Sequence, residues 1–146
     1  MRNVAYKPAN HIVAHRGAFK KNGFPENSIA SLKEAIRLGC AGSEFDVRMS
    51  ADDSLVINHD PTHNKLEIEK TGYAELIQHL LSNGEKLPTL REYLVAGSEN
   101  NKHTDLVLEI KPSGLGSERA QKIVDRVVDL VKELKPPYRI VYISFD

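Results

Sequence analysis

Glu44 and Asp46 stand two residues apart in Gly42-Ser43-Glu44-Phe45-Asp46-Val47, so on a strand both carboxylates leave the same face. Side by side they repel, and each raises the other's pKa unless a cation neutralises them. Oxygen-only ligands suit a hard divalent ion such as Ca²⁺ or Mg²⁺. Glu109, within Leu106-Val107-Leu108-Glu109-Ile110-Lys111, supplies a third ligand if the sheet curls. The plain alternative is a set of solvated acids on half-exposed strands. Against it, Phe45 and Val47 alternate with the first pair and Glu109 lies between Leu108 and Ile110. Burying bare charge in such apolar runs costs several kcal/mol. A metal site is the favoured reading.

Two histidines follow apolar runs and precede a charged residue: His15 in Ile12-Val13-Ala14-His15-Arg16-Gly17, and His59 in Leu55-Val56-Ile57-Asn58-His59-Asp60. Histidine is the usual general acid or base near neutral pH, and a pair permits proton removal and delivery in one cycle. Packed histidines at strand ends are the plainer alternative. Zinc ligation finds no Cys or His spacing to support it. Arg16 offers a fork suited to a phosphate oxygen, or serves as a structural ion-pair partner. Lys111 either contacts an anionic substrate or bridges to Glu109. His11, His63, His79 and His103 fall in loops or on helix faces and read as incidental. A divalent ion, two histidines and basic residues suit attack at phosphorus better than at a carbonyl. No Gly-rich phosphate loop, nucleophile elbow or dinucleotide fingerprint competes with that reading. These residues describe phosphodiester cleavage.

The elements that must carry them alternate strand-like runs with helix-period segments, which predicts βα units and a parallel sheet. The first unit joins a strand near His11 to His15 with a helix from about Ser28 to Leu38. Ile29, Leu32, Ala35 and Ile36 share a face of that helix, and Gly39 ends it in the left-handed conformation. Strands two and three, near Ser43 to Arg48 and Leu55 to Asn58, are joined by Ser50-Ala51-Asp52-Asp53. That link is too short for a crossover helix, so it is hairpin-like or a tight βα loop lacking its helix. A short helix is expected near Ala74 to Leu81, stopped by Ser82-Asn83-Gly84. Thr89-Leu90-Arg91-Glu92 reads as a capping box opening a helix that ends at Gly97. Strand four runs from about Asp105 to Ile110. The clearest helix places Ile123, Val127, Leu130, Val131 and Leu134 on one face, is closed by Pro136-Pro137, and precedes strand five from Arg139 to Ser144.

The chain has 146 residues, one domain's worth, and Lys plus Arg balance Asp plus Glu at 20 each. Zero net charge argues against nucleic acid or a strongly anionic membrane as partner. No apolar run reaches the roughly eighteen residues of a membrane span, and the N-terminus lacks an apolar stretch of signal-peptide type. The compartment stays open: cytoplasm or, where a signal segment has been removed, periplasm or exterior. Cys40 is the only cysteine, which excludes an internal disulfide and reads as a small packed residue after a helix.

The chain resembles the glycerophosphodiester phosphodiesterase family, whose members fold as TIM barrels. The resemblance rests on His15-Arg16-Gly17, Pro25-Glu26-Asn27-Ser28, Glu44-Phe45-Asp46-Val47, His59-Asp60, Leu87-Pro88-Thr89-Leu90, Glu109-Ile110-Lys111 and Ser144-Phe145-Asp146, in family order across essentially the whole chain. It implies an α/β (β/α)8 barrel of which this chain covers about the first five strands. Residues 1–146 would be the N-terminal part of one such domain. It implies that His15 and His59 are the acid/base pair and that Glu44, Asp46 and Glu109 bind Ca²⁺ or Mg²⁺. Arg16 and Lys111 would touch the phosphate, and Glu26 would help organise the metal site as an outer ligand. The implied reaction is hydrolysis of a small-molecule glycerophosphodiester to glycerol 3-phosphate and an alcohol such as choline or ethanolamine, through a cyclic phosphate formed by the glycerol 2-hydroxyl.

Three departures stand out. Ser28 replaces the family's usual threonine and keeps the hydroxyl. The stretch from Asp60 to Leu87 is shorter than the insertion many bacterial members carry over the glycerol pocket, which would leave a more open site. A barrel needs about 250 residues, so a chain of this length would expose strand edges and self-associate. Two alternatives stay open: a lysophospholipase D-like phosphodiesterase, and a catalytically incomplete fragment that binds metal or phosphate.

Overall fold

A computed structural model describes residues 8–145. In chain order its elements are β1 (Val13–Ala14), α1 (Ile29–Arg37), β2 (Gly42–Met49), β3 (Leu55–Ile57), β4 (Thr62–His63), β5 (Leu66–Glu67), α2 (Tyr73–Leu76), α3 (Leu90–Ala96), β6 (Asp105–Ile110), α4 (Ser117–Leu134) and β7 (Ile140–Ile143). Strands β1, β2, β6 and β7 lie side by side in that order and all pair in parallel. Helices α1, α3 and α4 fall between successive members of this parallel set, the βα arrangement expected from the alternation of patterns. This is part of a (β/α)8 barrel.

Strand β3 is the exception, pairing antiparallel with the end of β2 through Val47–Ile57, Arg48–Val56 and Met49–Leu55. The short Ser50–Asp53 link is therefore a hairpin. Gly42 is bracketed by Val13 and Asp105, and Val47 by Ile57 and Ile110, so β1 and β3 share one edge of β2 while β6 holds the other. The hairpin, with β4, β5 and α2, is an excursion inside the second βα unit.

Local chemistry explains the element ends. The Ser28 hydroxyl accepts from the Ser31 N–H and opens α1; Leu38 closes it and Gly39 follows at φ +65°. Thr89 and Glu92 form the reciprocal capping box of α3, which closes on Gly97. Helix α4 ends on Lys135 in the left-handed region, directly before the two prolines. Two expectations are corrected. The first strand pairs over only Val13–Ala14, because Arg16 and Gly17 take positive φ values and turn the chain at once. The helix expected near Ala74 to Leu81 covers only Tyr73–Leu76; tighter three-residue bonds, Gln78 to Glu75 and His79 to Leu76, take over beyond it. The two-residue strands β4 and β5 are too short for an alternating pattern to announce them.

The core follows the period of two in β2. Phe45, Val47 and Met49 face the helices with Leu32, Tyr93, Leu94, Leu106, Leu108, Ile123 and Val127. The Phe45 and Tyr93 rings meet at 4.6 Å between centroids. Fully burying one such side chain stabilises by about 1.5–3 kcal/mol. Of the apolar stripe on α4, Ile123 and Val127 are buried, while Leu130, Val131 and Leu134 pack at the margin. Val56, Ile68, Leu76 and Leu87 form a second, smaller cluster beneath the excursion. Cys40 is buried after α1, as expected. Among the described residues no helix is long and apolar enough to cross a membrane. Asp146, the last residue of the strand-five motif, lies outside the described residues.

Candidate active site

The face of β2 opposite the core carries Glu44, Asp46 and Arg48, and the parallel register sets Asp46 directly beside Glu109 on β6. All three carboxylates are buried, and one oxygen from each lies within 4.8 Å of the others. Apolar residues on alternate positions pull both strands into the core, and the acids between them go down with the backbone.

The chain after β1 folds over this cluster. Arg16, at φ +55°, points its backbone N–H at Glu44 Oε2, 2.8 Å away. Gly17 follows at φ +80°, and a Cβ there would lie 2.3 Å from the Ser31 hydroxyl, so the turn onto α1 admits only glycine. The Ser31 hydroxyl and the Asn27 N–H both donate to the Arg16 carbonyl. Asn27, itself at φ +55° and buried, donates from its amide to Asp46 Oδ2 at 2.9 Å and accepts from the Asp46 N–H at 3.2 Å. The loop between β1 and α1 thus orients both β2 carboxylates.

Cations surround the acids. Lys111 Nζ lies 2.6 Å from Glu109 Oε1 and 3.2 Å from Asp46 Oδ1. Arg16 Nε is 3.8 Å from Asp46 Oδ2, and its Nη1 bonds Glu26 Oε2 at 2.6 Å. Glu26 is consequently joined to the cluster through Arg16 and is not one of the three grouped carboxylates. The exposed His15 ring comes within 3.8 Å of Glu44. His59 Nδ1 bonds Asp60 Oδ1 at 2.8 Å, and its loop is held to β2 by the Asn58 N–H on the Asp46 carbonyl. His63 and His79, read as incidental, are tied together in the excursion by a bond from His63 to the His79 carbonyl.

Burial, reinforced by the charges of Asp46 and Glu109 and opposed by the Arg16 N–H, pushes the Glu44 carboxyl up to about 7. Burial works against the Lys111 ammonium, but Glu109 and Asp46 hold it above its ordinary value. Glu26, Asp46 and Glu44 do the same for Arg16. Glu44 Oε1 is buried without a hydrogen-bond donor. An orphaned oxygen within an all-oxygen cluster fits a hard divalent cation.

The structure therefore brings Glu44, Asp46, Glu109, Lys111, Arg16 and His15 together, with Glu26 outside Arg16 and His59 on the adjoining loop. Asn27, Arg48 and Asp60 were not assigned roles from sequence. Asn27 and Asp60 lie inside the Pro25–Ser28 and His59–Asp60 motifs, and Arg48 lies on the face shared by Glu44 and Asp46.

Residues 15–146 match the model of the glycerophosphoryl diester phosphodiesterase family. A glycerophosphodiester phosphodiesterase of Caldanaerobacter subterraneus subsp. tengcongensis is 31% identical, the match covering 92% of this chain and 58% of that protein. The crystal structure of a glycerophosphodiester phosphodiesterase from Parabacteroides distasonis superposes with a TM-score of 0.88 at 40% identity, over 96% of this chain and 58% of that one. An Oleispira antarctica phosphodiesterase, solved in complex with the product sn-glycerol-3-phosphate, superposes with a TM-score of 0.79 at 28% identity, over 94% of this chain and 58% of that one. The chain thus spans well under two thirds of the length of these relatives. Family model, sequence and fold agree, and the chain belongs to the glycerophosphoryl diester phosphodiesterase family.

Proposed function

We propose that the protein hydrolyses glycerophosphodiesters to sn-glycerol 3-phosphate and a free alcohol, with a bound Ca²⁺ or Mg²⁺. The buried Glu44–Asp46–Glu109 cluster, ringed by His15, Arg16 and Lys111, is the observation that carries this reading. Relatives with the same fold support the substrate class, one of them holding sn-glycerol-3-phosphate.

Glu44, Asp46 and Glu109 would hold the ion, with Glu26 at an outer position. When bound, the ion supplies positive charge that offsets the phosphoryl oxygens. Arg16 and Lys111 bind those oxygens and orient the phosphodiester. One of His15 and His59 takes the proton of the glycerol 2-hydroxyl as its oxygen attacks phosphorus. The other gives a proton to the departing alcohol oxygen as that P–O bond breaks, leaving a five-membered cyclic phosphate. The roles then reverse: a water proton is removed as water attacks, and the ring oxygen is protonated as it leaves, giving glycerol 3-phosphate. Asp60, bonded to His59 Nδ1, fixes that ring's orientation.

Phosphorus-31 NMR of glycerophosphocholine incubated with the protein tests both product and route. sn-Glycerol 3-phosphate is expected, with a transient cyclic phosphate signal. Phosphocholine in its place would mean cleavage on the other side of phosphorus and would contradict the proposal. Much faster turnover of a lysophospholipid would favour the lysophospholipase D-like alternative.

A further inference from the structure

We propose that Arg48 is the positioning residue that sets His59 against the carboxylate cluster. This rests on the reading of His59 as an acid/base group. Arg48 stands two residues beyond Asp46 on β2, so Glu44, Asp46 and Arg48 leave the same face. Its guanidinium reaches the loop after β3 and donates twice to the His59 carbonyl, from Nε at 3.0 Å and from Nη2 at 2.7 Å.

Among the described residues, the loop's other ties to the cluster are a backbone bond to β2 and the charge attraction between Asp60 and Arg16. The antiparallel pairing of β3 with β2 ends at Ile57, and the Asn58 N–H makes the last ladder-like bond, to the Asp46 carbonyl. From Asn58 onward the chain turns, its own amide side chain bonding the Asp60 and Thr62 carbonyls. Those two bonds fix the shape of the turn; the Arg48 fork fixes where it sits on the sheet. A planar guanidinium with two donors on one acceptor resists both sliding and rotation, which a single ammonium does not. One strand thereby carries two metal-ligand candidates and the clamp for the acid/base group. Arg48 also lines a cavity of about 440 Å³ with Pro61, Glu69 and Pro112, and a ligand-contacting role there predicts a different kinetic signature.

Full-length R48M, R48K and H59A proteins, compared with wild type on glycerophosphocholine, test this. R48M is expected to lower kcat by roughly 10- to 100-fold, the scale of a small displacement of a catalytic group, with KM changed by less than about twofold. R48K, which keeps the charge and one usable donor, is expected to recover part of that loss. Amide hydrogen exchange is expected to quicken over residues 58–62 in R48M while β6 stays as protected as in wild type. R48M turnover within about twofold of wild type, unchanged exchange over that loop, or a raised KM at unchanged kcat overturns the inference. The last result would put Arg48 on the ligand. H59A as fast as wild type removes the acid/base reading beneath it, whereas slow H59A beside fast R48M overturns the positioning role alone.

Discussion

At the scale of single residues, the molecule holds three carboxylates in one buried place and leaves one oxygen of Glu44 without a donor. The energetic consequence is sharpest at Glu44, whose carboxyl sits near 7 because burial disfavours its charged form. A carboxyl raised on folding contributes stability that is present below its unfolded value of about 4.5 and is lost as pH rises through about 7. A divalent ion needs the ionised form, so it reverses that loss. The rise in melting temperature on adding Ca²⁺ or Mg²⁺ should therefore be larger at about pH 8 than at about pH 5.5, and E44Q should shrink it at the higher pH. A metal-induced shift of equal size at both pH values would contradict this. The Glu44 and Asp46 pair was legible from spacing alone, since a period of two needs no tertiary information. The roles of Asn27 and Arg48 were not. Their partners, Asp46 and the His59 carbonyl, are set by how loops cross the sheet.

At the scale of elements, signals that act locally were legible. Ser28, the Thr89–Glu92 box and Gly39 work through bonds or dihedrals within a few residues, and each ends or opens its helix where expected. The β2–β3 link left two possibilities, because four turn residues permit either and pairing with β2 decides between them. Strand β1 is shorter than its apolar run suggests, and Ile12 and Val13 in that run are exposed. The turn from β1 to α1 depends most on one residue. G17A would put a methyl 2.3 Å from the Ser31 hydroxyl and 2.8 Å from the Ser31 backbone at φ +80°. It should cost more than about 1 kcal/mol in chemical denaturation and displace the Arg16 N–H from Glu44, weakening divalent-ion binding. Wild-type stability and ion affinity in G17A would show that the turn is not a constraint on the site.

At the scale of the whole molecule, β1 and β7 end the sheet, each paired on one side only among the described residues. Ile12, Val13, Tyr142 and Phe145 are exposed near these edges. Open parallel edges with apolar side chains are templates for further strands. A polypeptide of residues 1–146 by itself is expected to elute as an oligomer in size-exclusion chromatography, and a sharp monomer peak with cooperative melting would contradict that expectation. The parallel order of β1, β2, β6 and β7 is what brings Glu44, Asp46 and Glu109 together, since it makes β2 and β6 neighbours although more than fifty residues separate them in the chain. That cluster is what ties the proposed phosphodiester hydrolysis to a divalent ion. Release of sn-glycerol 3-phosphate from a mixture of glycerophosphodiesters, with and without EDTA, tests it most directly. Release that EDTA stops and added Ca²⁺ or Mg²⁺ restores is expected. Release that continues undiminished in EDTA would contradict it.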